Sequence, residues 1–253
     1  MPPLVVTPLP GLPEVPPGAD LPGLILDGIA RAELSLQPGD VVVVAQKIVS
    51  KAEGRRVALA GVVPSRDAES FAAVAQKGAR VVELALREAA ELVRCCPGVF
   101  VVEDRRGLVL ANAGIDASNV GGEGGDAVLL LPLDPDASAT RIRDGLRRLT
   151  GLHPRVMIID SLGCAWRSGT VGTAIGLAGL PGLVDLRGRP DHDGRLLRSS
   201  ELAAADELAA AASLMMGQAG VGRPVVHVRG FPYPLRPGSA DELRRPRQGD
   251  LFR

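Results

Sequence analysis

Aromatic residues are scarce in this 253-residue chain, which has one tryptophan, one tyrosine and four phenylalanines. The core must therefore be built from Val, Leu, Ile and Ala, and the scarcity argues against a module that stacks single-stranded nucleic acid on aromatic rings. An excess of either charge is also lacking, because 29 Lys and Arg balance 29 Asp and Glu. Without a basic field to hold nucleic acid, a small-molecule or protein partner is favoured.

Cysteine and long apolar runs are scarce as well. Cys95 and Cys96 are adjacent and Cys164 stands alone, a pattern that fits neither a disulfide framework nor a paired metal-binding motif. We interpret them as small buried side chains in a reducing compartment. No run approaches the roughly 20 apolar residues of a membrane span, and the first residues lack the basic and apolar regions of a signal peptide. These features predict a cytoplasmic protein that has no membrane segment.

Short apolar runs and helical periodicity are what the chain does contain. The β-branched runs Val41–Ala45 and Val156–Ile159 predict buried strands, and Ala203–Met216 is strongly helical. Apolar positions from Phe71 to Leu92 predict further helix, divided near a glycine. The prolines and arginines from Phe231 onward predict a poorly ordered tail. The length suits one large domain or two small ones.

Three polar stretches follow predicted strands, and we expect each to be a loop at a strand end. They are Gln46–Gly54 with Lys47 and Lys51, Ala111–Asn119 with Asp116, and Asp160–Thr173 with Ser161 and Arg167. Taken singly, each is explained about as well by an ordinary solvated strand end or turn. Taken together, they contain carboxylate and hydroxyl oxygens for Mg²⁺ or Mn²⁺ and cations that neutralise phosphates. The combination indicates a nucleotide and metal site.

Common nucleotide-binding motifs are missing. There is no G-x-x-x-x-G-K-[ST] run, and no G-x-G-x-x-G follows a strand to open a helix, so P-loop and Rossmann binding are disfavoured. His153, His192 and His227 lack a second ligand at metal spacing, which favours structural or surface roles. The glycines after Met216 fit a helix C-cap better than a ligand contact when judged alone.

The chain resembles the F420-0:γ-glutamyl ligase family. The resemblance rests on Gly11–Pro13, Gln46–Gly54, Ala111–Val120, Ile159–Ser161, Trp166–Arg167, Gly169–Gly172, Asp185–Gly188, Ala205–Ala212 and Met216–Gln218. It extends in order from about Leu4 to about Gly230, and its most specific part is the run NAGIDASNV. It implies a domain over residues 1–230, followed by a tail over residues 231–253. No nitroreductase-like extension follows, so a stand-alone ligase is expected.

This resemblance implies a fold and a reaction. The fold would be α+β, with mixed sheets and helices in an intertwined homodimer. The reaction would be GTP-dependent: a carboxylate of the cofactor precursor F420-0 is joined to the amino group of L-glutamate through an acyl phosphate, and further γ-linked glutamates can follow. GTP, L-glutamate and F420-0 would be substrates, Mg²⁺ or Mn²⁺ would be required, and a monovalent cation could take part.

The resemblance also assigns site residues. Metal ligands would be Asp116, Asp160, Ser161 and Gln218. Nucleotide contacts would be Leu12, Pro13, Glu14, Val15, Gln46, Lys47, Lys51, Asn119, Met216, Gly217, Gln218, Ala219, Gly220, Val221, Gly222 and Arg223. From the chemistry of these side chains we propose catalytic roles for Asp116, Asp160, Lys51 and Arg167, the last steadying a transferring group or a substrate carboxylate.

This sequence departs from the family pattern at two places. Ser161 stands where threonine is usual, which keeps the ligand oxygen. In Gly163–Trp166 an arginine common in the family is missing, and we interpret Cys164 within that run as a packed small residue. A ligase on the same scaffold with another acceptor is therefore an alternative. A non-catalytic nucleotide-binding dimer is a second alternative, but retention of the whole metal-compatible set argues against it.

Overall fold

The computed structural model describes residues 3–118, 120 and 126–250. Its strands are β1 (Val5–Pro8), β2 (Val41–Ala45), β3 (Arg56–Ala58), β4 (Ala89–Cys96), β5 (Val99–Asp104), β6 (Val109–Ala111), β7 (Ala127–Leu129), β8 (Arg155–Gly163), β9 (Thr170–Ala178), β10 (Val184–Asp185), β11 (Glu201–Leu202) and β12 (Val225–Arg229). Its α-helices are α1 (Leu21–Arg31), α2 (Gln46–Ala52), α3 (Arg66–Ala75), α4 (Ala79–Glu88), α5 (Pro135–Thr150) and α6 (Ala204–Met216). None of the described helices reaches the length and apolarity that a bilayer crossing needs.

A five-stranded sheet in the order β1-β12-β2-β8-β9 forms the centre. Strands β2 and β8 are parallel, and the other neighbours are antiparallel. Alternate side chains of β2 and β8 enter two separate cores, because successive residues of a strand point to opposite faces. Val42 and Ile158 pack with α1 and α5, whereas Val43 and Met157 pack with α6. The α+β class with mixed sheets is thus confirmed.

The part of the chain between α2 and Asp116 forms a second layer. Antiparallel strands β4, β5 and β6 pack with α3 and α4 around Phe100 and Val102. Strands β3 and β7 form a separate two-stranded ribbon. The carboxylate of Glu88 joins these parts by accepting from Arg55 at 2.9 Å and from Arg106 at 3.0 Å.

The structure corrects three expectations about secondary structure. Gln46–Gly54 is helix α2 for most of its length, because buried Ile48 and Val49 anchor one face. The predicted helix does not continue to Leu92, since the chain turns into β4 at Ala89 and pairs with β5. The described part of the C-terminal segment, residues 231–250, packs against the core instead of forming the poorly ordered tail that was predicted. Its Leu235 and Leu243 contact the core beside α6, but the domain boundary at residue 230 stays a prediction.

Candidate active site

The candidate site lies at the carboxyl ends of β2 and β8. Because the two strands are parallel, with Ala45 beside Ile159, the next residues, Gln46 and Asp160, emerge at the same edge of the sheet. The amide of Ala45 donates to the Pro224 carbonyl oxygen at 2.8 Å, which brings the glycine-rich stretch before β12 to that edge. Sheet pairing thus gathers segments that are far apart in sequence.

Lys47 and Asp116 form the central ion pair of this edge. Lys47 Nζ lies 2.7 Å from Asp116 Oδ2 and donates to Ser118 Oγ at 2.6 Å. The Ser118 amide donates to Asp116 Oδ1 at 2.6 Å, and the Asp116 backbone pairs with that of Leu129. Burial opposes ionisation, yet the bonds from Lys47 and Ser118 outweigh it and hold the pKa of Asp116 below its ordinary value.

Asp160 lies in a different environment from Asp116. Burial raises the pKa of Asp160, and the charge of Asp116 raises it further, although the Ser161 amide donates to Asp160 Oδ1 at 2.8 Å. The two carboxylates therefore interact electrostatically. Asp116 is paired with a lysine, whereas ionisation of Asp160 is disfavoured.

Gln46, the first residue of α2, is buried close to Asp160. Ser50 Oγ donates to Gln46 Oε1 at 2.9 Å, which turns the amide nitrogen away from Ser50. That nitrogen is buried and makes no regular hydrogen bond to a described residue. The Gln46 side chain nevertheless lowers the pKa of Asp160, in opposition to burial. Ser50 thus orients Gln46, a role that the sequence pattern did not indicate.

Gln218 contacts the hydroxyl of Ser161 at the same edge of the sheet. Gln218 Nε2 donates to Ser161 Oγ at 3.0 Å and to Ser213 Oγ at 3.1 Å. Ser213 is buried in α6 and was missed by the sequence reasoning. Two of the four predicted metal ligands are therefore in direct contact.

Lys51 binds the predicted nucleotide loop at the amino-terminal side of the site. Its Nζ lies 2.6 Å from Glu14 Oε1, and the Glu14 side chain is 71% exposed whereas that of Lys51 is 13% exposed. Leu12 and Val15 point into the core and anchor the loop, while Pro13 is exposed. The loop thus places an exposed carboxylate on a largely buried lysine.

The loop between α6 and β12 presents mostly backbone. Met216 is buried, and all residues from Gly217 to Arg223 are exposed. Gly217, Gly220 and Gly222 have φ values of +71°, +60° and +67°, a region that favours glycine. The Gly217 amide donates to the Ser213 carbonyl oxygen at 3.1 Å, and the exposed residues after it, which include Ala219 and Val221, present their backbone to solvent.

The hairpin of β8 and β9 extends beyond the predicted strand end. Asp160 and Ser161 lie inside it and pair with Thr173 and Gly172. Trp166 is 86% exposed at the tip, and Cys164 and Arg167 are exposed beside it. Cys164 is therefore not a packed residue, and Cys95 and Cys96 are only partly buried. Arg167 is not brought to Asp160, and Asn119 lies outside the described residues.

The predicted donor set fits Mg²⁺ or Mn²⁺ by its chemistry. Asp116 and Asp160 contribute carboxylate oxygens, Ser161 a hydroxyl and Gln218 an amide oxygen, all hard ligands. The described residues contain no group of three or more His, Cys, Asp or Glu side chains that would hold a metal ion by themselves. The raised pKa of Asp160 beside Asp116 marks a carboxylate pair whose repulsion a divalent cation would relieve. Their roles as ligands stay predictions.

Comparison with known proteins decides the family. A model of the F420-0:Gamma-glutamyl ligase family matches residues 11–230. The chain belongs to the F420-0:γ-glutamyl ligase family. The resemblance read from the sequence is therefore confirmed, and its most specific run lies inside the matched range.

Three relatives of this family are similar along nearly their whole length, and each is named coenzyme F420:L-glutamate ligase. The protein of Methanothermobacter thermautotrophicus is 44% identical over 96% of both chains. That of Methanopyrus kandleri is 42% identical over 100% of this chain and 99% of the relative. That of Archaeoglobus fulgidus is 41% identical over 98% of this chain and 96% of the relative.

Proposed function

We propose that this protein is a GTP-dependent ligase that joins L-glutamate to coenzyme F420-0 and can extend the product by γ-linked glutamates. Family membership and the printed name of its relatives support the reaction class. The observation that carries the proposal is the meeting of Lys47, Asp116 and Asp160 at one edge of the sheet. Two carboxylates and a lysine, beside a loop of exposed backbone amides, suit a phosphate chain with its cation.

Amide formation requires a leaving group on the acceptor carboxylate. Attack of a carboxylate oxygen on the γ-phosphorus of GTP forms a C–O–P bond and breaks the bond to the β-phosphate bridging oxygen, which releases GDP. The glutamate amine then attacks the acyl carbon, a C–N bond forms, and inorganic phosphate leaves with the C–O bond electrons. The amine loses one proton in this step.

Positively charged side chains have the main role in binding the phosphates. Lys47 pairs with Asp116, and Lys51 pairs with Glu14. When GTP binds, phosphate oxygens would replace these carboxylates as the partners of the two ammonium groups. Glu14 is exposed enough to move aside. The amides of the loop from Gln218 to Arg223 would be available for further phosphate oxygens, whereas the Gly217 amide already donates to the Ser213 carbonyl oxygen.

The carboxylate side of the site would hold the divalent ion. Asp116, Asp160, Ser161 and Gln218 would bind Mg²⁺ or Mn²⁺, which would neutralise charge on the phosphates and orient them for transfer. Ser213 holds Gln218, and Ser50 holds Gln46, so both amides are positioned before any ligand arrives. A monovalent cation belongs to the same proposal and is tested by exchanging K⁺ for a tetraalkylammonium ion.

The deciding experiment incubates the purified protein with F420-0, GTP, L-glutamate and Mn²⁺. GDP release and product mass are followed together, and omission of glutamate and replacement of GTP by ATP are the controls. We expect one GDP per glutamate added, and a mass increase of one glutamyl residue. Intact GTP with no glutamylated product would refute the proposal.

The exposed tip of the β8–β9 hairpin bears on which acceptor the ligase uses. Cys164 and Arg167 are exposed where the family commonly has a further arginine, which favours a test with acceptors other than F420-0. Glutamylation of another acceptor only would support the alternative ligase. The homodimer, also proposed, is tested by sedimentation equilibrium, in which a mass of a single chain at micromolar concentration would contradict it.

A further inference from the structure

A basic cleft lies away from the candidate active site. Its volume is about 320 Å³, and it is lined by Arg143 and Arg147 of α5, by His153 and Arg155 before and at the start of β8, and by Arg236 of the C-terminal segment. Among the residues that the structure describes, Gly179 and two apolar residues complete the lining, and none of these lining residues is acidic. The volume is at the lower end of the range for small-molecule sites.

Internal ion pairs leave part of this charge uncompensated. Arg236 pairs with Glu242, and Arg143 pairs with Asp144. Within the described part of the chain, neither Arg147 nor Arg155 has a carboxylate partner. The carboxyl end of α5 favours a cation at Arg147, but it does not explain why Arg155 and Arg236 converge from other segments. Like charges gathered in this way repel one another unless an anion joins them.

Two of the arginines are held in position. Gly179 has a φ of +87°, and a Cβ on it would lie 2.6 Å from Arg155 Cδ, so the missing side chain makes room for the Arg155 stem. The guanidinium of Arg236 donates to both Glu242 oxygens, at 2.6 Å and 2.7 Å, and to the Leu183 carbonyl oxygen at 3.1 Å. Because both Nη atoms of Arg236 are already bonded, to Glu242, Leu183 and Pro237, Arg236 adds positive charge to the cleft, and Arg147 and Arg155 provide the donors for an oxyanion.

The cleft is separate from the candidate active site. Arg155 begins β8 beside Val41, whereas Asp160 lies five residues along the same strand. At about 3.3 Å per residue, these two positions are roughly 16 Å apart. The two sites are thus at opposite ends of the central sheet.

We propose that this cleft is a second binding site, for a small molecule that carries a diphosphate group. Guanidinium groups match phosphate oxygens through paired hydrogen bonds, and a diphosphate concentrates enough charge to contact several of them in a small volume. The group can be free diphosphate or part of a nucleotide, and both sources share this chemistry. The site is independent of the ligase reaction proposed above.

Calorimetric titration with inorganic diphosphate tests the proposal. EDTA and constant ionic strength remove metal-dependent binding at the active site and general salt effects. We expect saturable binding with a Kd below about 1 mM. Arg147→Gln and the double variant Arg147→Gln/Arg155→Gln should weaken it, the latter by about tenfold or more.

Arg148→Gln is the matched control, since Arg148 neighbours Arg147 on α5 but does not line the cleft. Its affinity should equal that of the unaltered protein. Displacement of diphosphate by GDP would indicate that the site accepts a nucleotide, and failure of GDP to compete would indicate free diphosphate; either result supports the cleft. Absence of saturable binding, equal affinity in the double variant, or equal weakening by Arg148→Gln would overturn the proposal.

Discussion

Lys47 Nζ lies 2.7 Å from Asp116 Oδ2, and this ion pair links α2 to the segment after β6. The ammonium group thus occupies the coordination space of a carboxylate that is predicted to bind a divalent ion. It lowers the pKa of Asp116 against the effect of burial, while Asp160 forms no ion pair with a described residue and burial raises its pKa. The two carboxylates of the candidate site therefore differ in the direction of their pKa shifts.

Replacement of Lys47 by glutamine should lower GTP-dependent turnover by about tenfold to a hundredfold, because a charge-assisted bond to phosphate contributes about 1.5–3 kcal/mol. The KM for GTP should rise as well. Steady-state GDP release measures both. Lys77→Gln is the control, since Lys77 lies between α3 and α4. An equal loss in both variants would show that Lys47 has no specific role.

Replacement of Asp160 by asparagine should reduce turnover on the order of a hundredfold while the protein remains folded. The change removes a desolvated charge that Asp116 repels, so the unfolding temperature should stay the same or rise. Affinity for Mn²⁺, measured by electron paramagnetic resonance, should fall. Near-normal turnover and Mn²⁺ binding would remove Asp160 from the metal site.

Replacement of Gly172 by alanine should destabilise the contact between β9 and α6. The new Cβ would lie 2.4 Å from Ser213 Cβ and 2.5 Å from the Ala209 carbonyl oxygen, so the helix must shift. We expect a loss of about 1–3 kcal/mol in denaturant unfolding. Turnover should fall too, because Gly172 pairs with Ser161 and Ser213 holds Gln218. Gly163→Ala, in open space on the same hairpin, should leave stability nearly unchanged.

Glu83 provides a test by pH that is remote from the site. The Ser65 hydroxyl and amide and the Arg87 guanidinium donate to its carboxylate and lower the pKa of Glu83 from 4.5 to about 2. A depressed pKa stabilises the fold above the unfolded value, and this contribution is lost as pH falls from about 4.5 toward 2. Glu83→Gln should cost about 1–2 kcal/mol at pH 7.

The same variant should lose less stability on acidification than the unaltered protein. Urea unfolding at pH 7 and at pH 3 measures the difference. A constant gap between the two proteins at both pH values would contradict the assignment.

Much of the regular structure was predictable from local patterns. The runs Val41–Ala45 and Val156–Ile159 predicted buried strands because continuous apolar side chains fit a sheet covered on both faces, and helix α6 followed from its alanine-rich composition. Local patterns failed at α2 and at β4. Both lie where a polar or amphipathic run is compatible with helix and strand, so tertiary packing decides.

The residue types of the candidate site were also present in the sequence. Its carboxylates, lysines and hydroxyl, together with the specific run after β6, indicated the family and the kind of chemistry. Ser50 and Ser213 carried no such signal, because a serine that orients an amide looks like any other serine until its partner is known.

The sequence by itself determined the elements, the family and the list of polar groups. Only the tertiary structure decided which of those groups meet, since the parallel pairing of β2 with β8 brings Gln46 beside Asp160 and returns the chain so that Lys47 reaches Asp116. It also decided the direction in which their pKa values move. Burial raises the pKa of Asp160, whereas the bonds from Lys47 and Ser118 lower that of Asp116 against the effect of burial, and neither burial nor these contacts are encoded in spacing along the chain.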